Sequence, residues 1–205
     1  MKVQKLLMLL AMVSGMSPVL VNAVELEVDA AHSNVGFEIK HLVVSSVHGS
    51  FTDFTGSINL DEKDFAKTQI EFKVKTDSVN TANAKRDGHL KSGDFFDVQK
   101  FPEATFVSKS IKPAGKNKYT LEGDLTIHGQ TKLTKFTLLN LGKVKDPYGV
   151  EKYMFQASTE LVRKDFGLIY NAKLETGGLV LGETAKLVLD IEAAAKAPAK
   201  PAATK

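Results

Sequence analysis

Residues 54–61 read FTGSINLD, placing Phe54, Gly56, Ile58 and Leu60 on one side of an extended chain and Thr55, Ser57, Asn59 and Asp61 on the other. Side chains of a strand alternate between its two faces, so this period of two predicts a half-buried β-strand. The same period recurs in both directions from this stretch. Val35, Phe37 and Ile39 alternate with Gly36, Glu38 and Lys40, and Ile70, Phe72 and Val74 face away from Glu71, Lys73 and Lys75. Farther on, Leu121, Leu125 and Ile127 oppose Glu122, Asp124 and Thr126, and Tyr153, Phe155 and Leu161 oppose Met154, Gln156 and Glu160. Leu187, Leu189 and Ile191 oppose Lys186 and Asp190, while Lys135 to Val144 is strand-like without a clear phase. Pro and Gly at 112–117 and 145–149 supply turns between them.

About eight strands with one apolar face each form an antiparallel sheet that must hide that face. Few helices are available to cover it, so the sheet closes on itself. The predicted fold is therefore mainly all-β, an eight-stranded antiparallel barrel. A barrel of that size is either filled by its own side chains or holds one slim ligand, and alternation alone leaves both outcomes open.

One interval breaks the pattern. Thr81 to Lys91, TANAKRDGHLK, predicts a short helix at about 81–91, with Asn80 or Thr81 as N-cap, Gly88 as a weak point and Gly93 as a left-handed stop. On that helix Arg86 and His89 share a face, whereas Asp87 and His89 do not. His89 is expected to be a buried or half-buried anchor bonded to backbone or to a carboxylate.

The two ends read differently from the middle. Lys2 and Lys5 precede an apolar run from Leu6 to Val13, and Val21-Asn22-Ala23 forms a small-x-Ala cleavage pattern. Residues 1–23 are thus expected to be a signal peptide, leaving no transmembrane segment after cleavage and a periplasmic or secreted product. Residues 193–205, AAAKAPAKPAATK, have no apolar face and are expected to be a disordered Ala/Lys/Pro tail. Between them, 24–192 fits one domain. Five of the 27 basic residues lie in the two ends, which leaves 22 against 24 acidic ones in the domain. The excess of positive charge therefore belongs to the ends, and no nucleic-acid footprint is expected.

The chain has no cysteine, so disulfides, c-type haem attachment and thiolate metal sites are absent. Its five histidines, His32, His41, His48, His89 and His128, show no metalloprotease spacing. There is no G-x-S-x-G elbow, and Gly129-Gln-Thr-Lys132 lacks the spacing of a phosphate-binding loop. No catalytic residue, metal ligand or cofactor is expected, and the chain is read as a binding protein and not an enzyme.

Several stretches in register resemble the YceI-like family of exported polyisoprenoid-binding proteins. Arg86-Asp-Gly-His-Leu90, Phe95-Phe-Asp97 and Phe101-Pro-Glu-Ala-Thr-Phe106 look like its central signature. Asp29 to Ser33 with Val35-Gly-Phe37, Val47 to Phe51, Gly123 to Gly129 with Thr131-Lys132, and Arg163 to Gly167 follow in the family's order. The resemblance implies a lipocalin-like barrel over 24–192 whose tunnel holds an isoprenoid or other long-chain lipid, commonly as a homodimer, without catalysis. Burial alone could hold such a ligand, since each methylene removed from water contributes about 0.8 kcal/mol.

On this reading the tunnel lining is Phe37, Ile70, Phe72, Val74, Phe95, Phe96, Leu125, Phe155 and Leu187, with Arg86 and His89 toward a polar ligand head. The function expected is a carrier, store or sensor for that hydrophobic ligand. Alternatives are an enzyme acting on an isoprenoid or quinone, and a stress-related protein-interaction domain with a solid core.

Overall fold

The structure is a computed structural model that describes residues 23–42, 44–172 and 179–196. The expected signal peptide, apart from Ala23, and the part of the expected tail after Lys196 lie outside the described residues. In chain order the elements are β1 (Ala23–Val28), β2 (Asn34–His41), β3 (Ser45–Phe51), β4 (Phe54–Asp61), β5 (Gln69–Lys75), β6 (Val79–Asn80), α1 (Ala84–Lys91), β7 (Glu103–Gly115), β8 (Lys118–Ile127), β9 (Gln130–Lys145), β10 (Glu151–Val162) and β11 (Leu181–Ala195).

Eleven strand segments make eight passes, because the first three passes are each bent. β1 and β2 form one pass broken at 29–33, β3 and β4 a second broken at 52–53, and β5 and β6 a third broken at 76–78. Every neighbouring pair is antiparallel, and β1–β4–β5–β7–β8–β9–β10–β11 form a ring that closes β11 back on β1. The result is the eight-stranded barrel that the alternation predicts, built as a simple meander.

β11 serves both halves of the first pass: Ala185 to Asp190 pair with β2, and Ala193 to Ala195 pair with β1. The boundary expected at 192 is therefore three residues early. Ala193 is fully buried, and the ladder to Leu26, Glu27 and Val28 satisfies backbone that composition alone marks as a tail.

The ring has one gap in its ladder. β6 pairs with β3 but has no partner on its other side among the described residues, because the chain leaves there through α1 and 92–102 before β7 begins. The last link between these passes is at Thr76, whose N–H donates to the Pro102 carbonyl and whose hydroxyl donates to the Phe101 carbonyl at 2.7 Å.

α1 starts at Ala84, three residues later than expected, and its cap is Asn83, whose side chain accepts from the Arg86 N–H at 3.0 Å. Asn80 instead accepts from the Ala82 N–H, and Thr81 is buried and bonded to Asp87. Ser92, in extended conformation, ends the helix, so Gly93 is not a left-handed stop. The 112–117 stretch is also mostly strand, with only Lys116 and Asn117 forming the turn.

The unclear phase of 135–144 has a local cause. Met154 pairs with Gly142 and Phe155 with Asn140, so Leu141 is the extra residue of a bulge and the inward phase of β9 changes there. Upstream of it Phe136 and Leu138 are buried; Leu141 itself is exposed.

Candidate functional site

The interior of the barrel has a filled end and a hollow end. At the filled end Leu26, Leu60, Ile111, Tyr153 and Ala193 are buried, and Phe65 lies 4.5 Å from Tyr119 and 6.1 Å from Phe155, ring centroid to centroid. Beyond Phe155 a cavity of about 460 Å³ opens, within the usual range for small-molecule sites.

Its wall contains all nine residues expected there: Phe37, Ile70, Phe72, Val74, Phe95, Phe96, Leu125, Phe155 and Leu187. The inward direction of the seven on strands follows from the strand period, Phe95 and Phe96 reach the wall from the segment after α1, and Val74, Leu187, Leu189 and Ala157 are only half-buried because they face empty space. Gly49 contributes by its missing side chain: a Cβ there would lie 2.4 Å from the Phe37 ring, so that ring could not keep its place across the strand. The filled-or-hollow choice left open by alternation is thus resolved as hollow.

The mouth lies at the α1 end, between α1, the β2–β3 hairpin and the segments around 168–172 and 180–181, which contribute Leu168, Tyr170, Ala172, Val180 and Leu181. Arg86 and His89 both reach the wall there, but each is already engaged. Arg86 donates from Nε to the Thr81 hydroxyl at 2.7 Å and from Nη2 to the Thr81 carbonyl at 2.8 Å. Asp87 accepts from the backbone and the hydroxyl of the same threonine. His89 Nε2 lies 2.9 Å from Asp94 Oδ2, and the ring packs edge-on against Phe95 and Tyr170 at 5.0 and 4.9 Å. Its side chain is 42% exposed, so the expected buried or half-buried histidine is instead a mouth residue, although its carboxylate partner was anticipated.

Two basic wall residues escaped the sequence reading, Arg163 and His41. Both continue an inward phase already identified, Ile39 to His41 and Leu161 to Arg163, and that continuation was the available signal. Arg163 is only 8% exposed and donates to three backbone carbonyls: Nε to Gly182 at 2.9 Å, Nη1 to Leu168 at 3.0 Å and to Tyr170 at 3.3 Å. Burial pulls its pKa below the ordinary value, offset in part by Glu183, but a guanidinium stays charged throughout the ordinary pH range.

One cluster elsewhere has metal-ligand composition: Asp29, His32 and Glu192. Lys152 Nζ already bridges its carboxylates, 3.1 Å from Asp29 Oδ2 and 2.9 Å from Glu192 Oε1, so an ammonium occupies the place a cation would take. Asp29 is held down to about pKa 2, first by its hydrogen bond with His32 and then by Lys152.

Comparison with known proteins agrees with this architecture. The model of the YceI-like domain matches residues 26–193. A UPF0312 protein of Photorhabdus laumondii is 37% identical over 168 residues, covering 82% of this chain and 84% of that one. The crystal structure of a Campylobacter jejuni YCEI protein superposes with a TM-score of 0.67 at 34% identity, over 82% of this chain and 96% of that one. A polyisoprenoid-binding domain of Saccharophagus degradans shares the fold, with a TM-score of 0.62 at 15% identity, over 84% of this chain and 99% of that one.

Proposed function

The chain belongs to the YceI-like domain family, and from that membership and the hollow end of its barrel we propose that it binds one long-chain amphiphile, an isoprenoid or similar lipid. The observation that carries this reading is the wall itself. It is aliphatic and aromatic along its length, with polar groups confined to a few positions, which suits a ligand held by burial of its chain. The S. degradans domain that shares the fold is a polyisoprenoid-binding one, which points the same way. The protein then acts as a carrier, store or sensor in the periplasm once residues 1–23 are removed, and it acts without catalysis.

Native mass spectrometry of the purified full chain, followed by solvent extraction, tests the reading. Wild type is expected to carry a co-purifying lipid. Leu187→Trp, which places a large ring in the hollow, should release that lipid while the variant melts close to delipidated wild type. A core already filled would react differently, since overpacking costs about 1–3 kcal/mol. A destabilised variant, with no lipid recovered from either protein, overturns the proposal.

A further inference from the structure

The cavity wall has a pronounced charge asymmetry. Among the described residues lining it there are two arginines, Arg86 and Arg163, and two histidines, His41 and His89, but no aspartate or glutamate. A hollow that had only to accept a hydrocarbon or a neutral lipid would gain nothing from two guanidinium groups, because taking a charge out of water costs several kcal/mol unless a counter-charge is near.

Arg163 shows the imbalance most clearly. Its three hydrogen bonds all go to neutral carbonyls, and no described carboxylate lies within ion-pair distance. Nε and Nη1 are used, whereas Nη2 has no partner among the described residues. The residue itself lines the cavity. The bonds of Nε and Nη1 fix the guanidinium in orientation at the wall, which leaves Nη2 as the donor with no described partner for a ligand in the hollow. Arginine in such a fixed pose suits the oxygens of a carboxylate or phosphate.

Position agrees with chemistry. Arg163 follows directly after β10 at the mouth end, and the Tyr170 carbonyl that it binds belongs to the residue whose ring packs on His89. A ligand with its tail toward Phe155 would bring its head to this level. We propose that Arg163 anchors an anionic head, so that the ligand class is a long-chain oxyanion, a carboxylate or phosphate monoester, in preference to a neutral lipid. This rests on the lipid-binding reading above and adds to it the charge of the ligand.

The test compares three ligands with one tail: oleyl alcohol, oleic acid and oleyl phosphate, each displacing the neutral probe N-phenyl-1-naphthylamine from delipidated full chain at about pH 8, where carboxylates are ionised. A charge-assisted hydrogen bond predicts that wild type prefers the two anions over the alcohol by about 10- to 100-fold. Arg163→Gln should weaken binding of the two anions more than binding of the alcohol, bringing that ratio near one, and Arg163→Lys should restore part of it. Should Arg163→Gln fail to fold, the wild-type ratio and Arg163→Lys decide. Alcohol binding with a wild-type ratio near one overturns the anion proposal alone. A ratio retained in Arg163→Gln, or undiminished in Arg163→Lys, overturns the assignment to Arg163. Binding of none of the three ligands overturns the lipid-binding reading with it.

Discussion

The Thr81 hydroxyl stands between two opposite charges, accepting from Arg86 Nε and donating to Asp87 Oδ1, and it is buried while doing so. The charged residues of 86–97 therefore divide by task. Arg86 and Asp87 tie the start of α1 to the chain leaving β6, and His89 with Asp94 forms an exposed pair at the mouth. Removing one side of a part-buried bonded pair strands its partner, so Arg86→Ala should lower unfolding free energy by about 1–3 kcal/mol. His89→Ala, which removes an exposed pair and the ring's edge-on contacts with Phe95 and Tyr170, should cost less, about 1 kcal/mol. Urea melts of the delipidated variants measure both, and equal losses would contradict this division of roles. The sequence signalled that Arg86 and His89 share a helical face, but it could not signal Thr81 as the acceptor. For Arg163 the inward phase continued from Leu161 was legible, but its partners were not, since the carbonyls of Leu168, Tyr170 and Gly182 are brought together only by the closed barrel.

At the scale of elements, α1 fills the one place where the barrel wall lacks a ladder. The passes around the rest of the ring share continuous backbone pairing, whereas α1 is held by the Thr81 network and side-chain contacts, with Asn83 as its cap. Amide exchange should therefore be fastest over 84–101 and slowest in β8, β9 and β10, with the 84–101 amides opening below the free energy of global unfolding. Uniform protection across α1 and those strands would refute this. The alternation was legible because each strand has one face on the interior and one on solvent, and that physical asymmetry writes itself into the residues. What stayed illegible were the bends at 29–33, 52–53 and 76–78, which make eleven segments of eight passes, and the slip at Leu141. Both depend on how distant strands meet and not on any local preference.

At the scale of the whole molecule, closure depends on the pairing of the first and last strands, and Lys152 reinforces it by joining Asp29 to Glu192. Asp29 titrates near 2 in the folded protein against an ordinary 3.8, so its contribution is complete above the ordinary value and is lost as pH falls through about 2. Wild type should exceed Asp29→Asn in stability by on the order of 1 kcal/mol at neutral pH, allowing for solvent screening, and the two should converge below the folded value. Denaturant melts across that range would expose the error if the gap persisted in acid. The same closure has a consequence for how the molecule can be held. Ala23 pairs with Asp61 and the Lys196 N–H donates to the Glu25 carbonyl, so the described chain enters and leaves side by side at the filled end. Any anchor or fusion attached through either terminus grips the barrel by its base. Immobilised in that way, by one end or by both, the protein would present its opening outward, unobstructed by its support.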